Sequence, residues 1–216
     1  MLYNICFITS DAISLWKWND KMPVVVDSDE RRTAVVSAAA ELIVEGGLNA
    51  VTFRNIAARL GFSTTVISHY FRDKTDVLRA TYQHVVAEAV MHREQVLAGQ
   101  NASPVRVLEE VLPVADTQRR IWTVWLCFWT AALFDKTLLE EHRRGLAGTR
   151  ERLRRHFLAE GEPAERAERA AEDLAQAIFG IAVQALFDPA YWSPERQRAA
   201  YRRAAVRIAA LPHTAG

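Results

Sequence analysis

Cysteine is almost missing from this chain of 216 residues: Cys6 and Cys127 are its only thiols. Two cysteines so far apart and in unlike settings make no disulfide framework and suit a reducing cytoplasm. No apolar, charge-free run of 18 residues occurs, so a membrane-crossing helix is not expected. Nor is there an alternating apolar–polar stretch of the kind that builds strands. The chain also lacks a phosphate-cradling glycine loop, a nucleophile elbow and any cluster with metal-ligand spacing, so neither a metal ion nor a cofactor is expected. His84, His92 and His156 stand singly on helical stretches and read as satisfied or solvent-facing. Net charge is small as well, +1 at neutral pH, and by itself says nothing for a polyanionic partner.

What the sequence does have is apolar mass, half of all residues, with a quarter charged. That is enough for a substantial core and excludes a disordered tail. The apolar positions recur at helical spacing almost throughout, which predicts an all-α chain. Helices are expected over about Arg31–Glu45, in two short pieces between Thr52 and Phe71, and over Lys74–Ala98. Gly99 and the Asn101–Pro104 break follow, then a short helix from Pro104 to about Leu112. Asp116 is expected to cap Arg119–Phe134. Helices Lys136–Ala159, Ala164–Phe187 and Ser193 to about Ala209 complete the chain, with Gly161 and Pro163 as stop and start.

The stretch Val51–Leu78, VTFRNIAARLGFSTTVISHYFRDKTDVL, carries the most information. Thr52 can cap a first short helix whose Ile56, Ala57 and Leu60 face inward. Gly61 can take the left-handed backbone that ends it. Ser63 or Thr64 then caps a second helix in which Ile67 and Phe71 share the buried side. Thr64, Thr65, Ser68 and His69 remain outside, short and polar, as a helix lying in the major groove of DNA requires. Arg54 and Lys74 bracket the pair and can reach phosphates. Residues 31–79 hold seven basic against four acidic residues, a local excess of three. So modest an excess calls for two such heads acting together on DNA.

Arg31 to about Ala80 resembles the N-terminal domain of the TetR family of bacterial transcriptional regulators. Within it, ISHYFRDKTDVLRAT at Ile67–Thr81 is most similar to the choline-responsive repressors of glycine-betaine synthesis. The resemblance implies a three-helix helix-turn-helix head joined to a helical ligand-binding and dimerisation body. It implies DNA-backbone positions at Thr52 and Arg54 and a reader helix bearing Thr64, Thr65, Ser68 and His69. Tyr70 matches the family's DNA-contacting aromatic and Lys74 its phosphate-contacting lysine. Thr65 stands where the family often has Gly, and Ser68 where it often has Tyr. Late in the body, the Gly-Leu-Trp-Leu-Arg-like phrase of the choline-responsive members is replaced by GIAVQ at Gly180–Gln184. Dimers of the family pair through their last two large helices; here Leu174, Ile178, Ile181 and Ala185, with Ala199, Ala200, Val206 and Ile208, mark the apolar stripes, which serve that interface, the monomer core or both.

In the body, Ile121–Phe134 (IWTVWLCFWTAALF) gathers three of the six tryptophans. Trp122, Trp125 and Trp129 are spaced to share one helical face, with Phe128 and Cys127 beside it. Such a face is either plain core or the wall of a pocket. As a pocket it would include Phe179 and take an aromatic or cationic effector, a quaternary ammonium such as choline or a betaine first.

The expected organisation is an N-terminal extension over 1–28, a DNA-binding domain over 29–80 and an effector-binding and dimerisation domain over 81–216. The first 21 residues are either translated from a start placed upstream of Met22 or a true extension that docks through its aromatics; they do not read as a secretory signal. The function expected is a cytoplasmic, homodimeric repressor released from a pseudo-palindromic double-stranded operator by a small molecule. Two other classes compete: an enzyme, for which no acid, base and nucleophile set is visible, and a helical adaptor binding protein through a tryptophan-rich surface.

Overall fold

A computed structural model describes residues 28–98 and 109–210. The extension, the break at Gly99–Pro104 and most of the Pro104–Leu112 helix lie outside the described residues. Within them are eight helices: α1 Ser28–Ala50, α2 Phe53–Leu60, α3 Thr64–Tyr70, α4 Lys74–Ala98, α5 Asp116–Ala132, α6 Lys136–Ala159, α7 Ala164–Phe187 and α8 Pro194–Ala210.

Local chemistry sets most of the boundaries. The regular part of α1 stops at Glu45, where Gly46 and Gly47 leave helical geometry and Gly47 adopts φ +67°. Thr52 caps α2, its Oγ1 accepting the Asn55 N–H at 3.1 Å, and Gly61 closes it in the left-handed region at φ +68°. Ser63 caps α3, Asp73 accepts the Asp76 N–H at 2.8 Å to start α4, and Asp135 receives the N–H groups of Thr137 and Leu138 ahead of α6. One expectation fails. Asp116 is the first helical residue of α5 rather than its cap, the cap position being Ala115 without a side-chain bond. An acid in the first turn still suits the helix dipole, so the sequence signal was real but displaced.

Helices α1 to α3 enclose Val35, Ile43, Ile56, Ile67 and Phe71, all nearly or fully buried. This cluster continues through Val77, Leu78 and Val85 of α4 into Ile121 and Val124 of α5. The packing is therefore unbroken at residue 80, where the sequence suggested a domain boundary. In the body, α7 packs between α6 and α8 and against α5. Its apolar composition would let it span a membrane by length alone, but Leu174, Ile178, Ile181, Ala182 and Ala185 are buried within this chain. That α7 stripe thus closes the monomer core. On α8 the stripe divides: Ile208 is buried, Ala200 half-buried, and Ala199 and Val206 are exposed.

Candidate DNA-reading surface and effector pocket

The DNA-reading candidates lie on one small scaffold. Thr52 and Arg54 sit at the start of α2, Ser63 to Tyr70 along α3, and Lys74 at the start of α4. All are exposed except Tyr70, which is half-buried against the head cluster and edge-on to His69, ring centroids 5.1 Å apart. The capping hydroxyls of Thr52 and Ser63 accept backbone N–H groups, so each retains its own proton for an outside acceptor such as a phosphate. Ser68 has the opposite polarity: its Oγ donates to the Thr65 carbonyl at 3.0 Å, leaving lone pairs to accept.

The structure also sorts the basic residues. Arg32 donates to the Tyr70 carbonyl at 3.0 Å and lies over the Phe71 ring, tying α1 to the end of α3. Arg59 pairs with Glu45, a contact that holds the carboxyl below its ordinary range. Arg79 and Arg72 both approach Asp76, at 2.7 and 3.6 Å. Burial pushes the Asp76 carboxyl upward, but the Arg79 hydrogen bond, the Arg72 N–H and both guanidinium charges outweigh it and keep the group low. Arg54 and Lys74 have no ion pair among the described residues, which leaves both cations for an external anion.

In the body, a cavity of about 660 Å³, its open mouth included, is walled by α4, α5, α6 and α7. Trp125 and Trp129 line it from α5 and Phe179 from α7, with Trp129 and Phe179 edge to face at 5.6 Å. Trp122 and Phe128, assigned to the same wall from the sequence, do not line it. Trp122 is fully buried behind the wall, its indole N–H donating to the Val111 carbonyl at 2.6 Å and its ring edge-on to Trp125, Trp129 and Phe179. Phe128 stacks on Tyr82 at 4.0 Å in a separate cluster. A turn of 100° per residue puts positions 122, 125 and 129 on one side of α5, but that side is broad enough to be part core and part cavity.

The opposite wall escaped the sequence reading. His142, Gly145, Thr149 and Arg152 line the cavity from α6, and Tyr82 lines it from α4. Their spacing of three, four and three is helical, yet polar residues so spaced normally mark a solvated face. Gly145 is required by the close approach of Tyr82, whose hydroxyl would lie 2.6 Å from an added Cβ. Burial drives the Tyr82 phenol up to about 12 and keeps it un-ionised, and it lowers the His142 imidazole, favouring its neutral form.

One further constellation joins the two regions. Arg120 of α5 donates to Glu41 of α1 at 2.6 Å and to Glu88 of α4 at 3.2 Å. His84, unpartnered to a reader of the sequence, bonds Ser37 of α1 at 3.1 Å and lies 3.3 Å from Glu88.

Comparison with known proteins decides the family. Residues 35–81 match the family of bacterial regulatory proteins named for tetR, and residues 101–210 match the C-terminal domain of BetI-type transcriptional repressors. The chain belongs to the TetR family, on its BetI-type branch. It is similar to the HTH-type transcriptional regulator BetI of Burkholderia mallei, 31% identical over 74% of this chain and 84% of the relative. The BetI of Burkholderia thailandensis is 32% identical over the same shares. A transcriptional regulator of Rhodococcus sp. Rha1 shares the fold with a TM-score of 0.72 and 25% identity, over 84% of this chain and 96% of that one. A putative regulator of Saccharomonospora viridis, solved in complex with choline, gives a TM-score of 0.71 at 23% identity, over 81% and 95%. This TetR-family chain is accordingly a ligand-responsive transcriptional regulator, with head and body disposed as the resemblance implied. The adaptor reading loses its surface: Trp122 is buried, and Trp125 and Trp129 face a cavity inside the body.

Proposed function

We propose that the chain is a homodimeric repressor that reads a two-fold related operator in the cytoplasm through α3 and is released by an effector seated against Trp125, Trp129 and Phe179. The observation that carries the reading is the double engagement of α5. One end of this helix is packed into the head cluster by Ile121 and Val124 and tied to α1 and α4 by Arg120, while Trp125 and Trp129 wall the cavity. A ligand that moves α5 by a fraction of a turn therefore moves groups bound to the head. Such a ligand shifts the equilibrium only by binding one arrangement better than the other.

In this reading Thr52, Arg54, Ser63 and Lys74 hold phosphates, while Thr64, Thr65, Ser68, His69 and Tyr70 face base edges or the groove wall. Exposed Phe187 at the end of α7 and Val206 on α8 support pairing through these two helices. Choline, bound in the Saccharomonospora viridis structure, makes small quaternary ammonium compounds the first class to try. The test is footprinting on an operator selected from genomic DNA, with and without candidate effectors. Two related protected half-sites that reopen on adding effector are expected; protection of one asymmetric half-site by a monomer refutes the arrangement.

A further inference from the structure

Three residues that line the body cavity each carry a buried side-chain nitrogen without a hydrogen-bond partner among the described residues: Trp125 Nε1, His142 Nδ1 and Arg152 Nε. Buried polar groups in native proteins are nearly always satisfied, so three around one cavity mark a place where something else completes them. Arg152 is the most demanding. Its Nη2 donates to Thr149 Oγ1 at 3.1 Å, and among the described residues no carboxylate lies within ion-pair range of it. Burial and then the like charge of Arg155 pull its pKa below the ordinary value, the signature of a cation held without a counter-charge. The described residues lining the cavity include no Asp or Glu. Glu141 is occupied by Arg144 and Gln83, and Glu110 borders a smaller adjoining pocket with His92 and Gln118.

We propose that the effector is a small organic carboxylate whose carboxyl group pairs with Arg152 while its apolar or quaternary ammonium body lies against Trp129 and Phe179. This rests on the cavity being the effector site. A guanidinium fork matches a carboxylate in shape as well as charge. A cation without a carboxylate gains the aromatic faces but leaves Arg152 unpaired and places a second positive charge beside it. Choline alone thus satisfies half of the cavity. A betaine, or an aromatic acid, satisfies both halves.

Calorimetry on the full chain with two matched pairs tests this: trimethylglycine against choline, and phenylacetate against 2-phenylethanol. Each pair keeps its body and changes the carboxylate for an alcohol. At least one acid should bind ten times or more tighter than its alcohol. Arg152→Gln should abolish the preference and Arg152→Lys should retain part of it, circular dichroism confirming that both fold. If Arg152→Gln does not fold, the acid–alcohol comparison on the unaltered protein decides. Alcohols binding as tightly as acids, or a folded Arg152→Gln that keeps the preference, overturns the carboxylate proposal. In that event, weakening of choline or 2-phenylethanol by Trp125→Phe leaves the effector cavity standing. Binding of none of the four at millimolar concentration overturns both readings.

Discussion

The head and the body solve their polar bookkeeping in opposite ways. In the head, hydroxyls and carboxylates of Thr52, Ser63, Asp73 and Asp76 are spent on helix starts and guanidinium groups, and the groups left over face outward. Among the described residues, every buried side-chain nitrogen or oxygen without a partner lies in the body: Gln118, Trp125, His142, Arg152 and Gln197. A convex reader needs a stiff, satisfied interior, because its partner arrives from outside. A concave receptor must leave donors and acceptors open inside, and it gives up stability to do so. The difference also divides the labour of recognition. On the proposed function, the head would offer DNA many weak hydroxyls with cations such as Arg54 and Lys74, and the body would offer a small molecule the Arg152 charge among aromatic walls.

Four measurements sharpen or break this contrast. The largest effect is expected from the head's interior. Phe71→Ala removes a fully buried ring that also carries Arg32 and should cost about 3–5 kcal/mol in chemical denaturation, abolishing operator binding. A loss under about 1 kcal/mol would show that the head is not rigidly packed.

Trp125→Phe comes next. Its indole N–H has no hydrogen-bond partner among the described residues, so the cost to folding should be that of the lost ring volume alone and smaller than that of Phe71→Ala. Effector affinity should fall several-fold, read by calorimetry. A change in stability with none in affinity would make this residue core rather than wall.

Lys74→Ala should weaken operator and nonspecific DNA alike and reduce the slope of log affinity against log salt by about 1. Folding should be unaffected, since Lys74 is exposed and unpaired among the described residues. Fluorescence anisotropy at three salt concentrations reads this, and an unchanged slope removes the phosphate role.

The smallest effect concerns pH. Burial lowers the pKa of His142 and of His156, so the unfolded chain binds more protons than the folded one once pH falls below the unperturbed histidine value. Stability should decline gently as pH falls below about 6.5. The depressed carboxylates Glu45 and Asp76 contribute in the other window: their stabilisation is present above the unfolded carboxylate pKa and is lost only as pH falls through their lowered folded values. Thermal melts of His142→Gln against the unaltered chain should show the shallower pH dependence for the variant; identical curves would mean that His142 is not held neutral.

Legibility in the sequence follows the same division. The reader pair of the head, α2 and α3, was readable because its boundaries are set by neighbours in sequence: Thr52 and Asn55, Ala57 and Gly61, Ser63 and Val66. In the body, α6 and α7 were readable for the same reason, their stops and starts lying at Glu160–Pro163. The cavity was only half readable. Aromatic Trp125, Trp129 and Phe179 announce an apolar face, but periodicity gave no reason to separate them from Trp122 and Phe128, which the fold puts into core.

The sequence by itself determined the helical class, the helix-turn-helix head and the family, since caps, turns and apolar spacing act over three or four residues and need no distant partner. Only the tertiary structure decided which way the polar face of α6 turns. His142, Thr149 and Arg152 look like a solvated stripe until α4, α5 and α7 close over them. It also decided that Arg120 reaches Glu41, 79 positions away, and so ties α5 to the head. The meaning of a half-buried charge depends on what surrounds it in space, and for Arg152 that is assembled from four helices rather than from its neighbours along the chain.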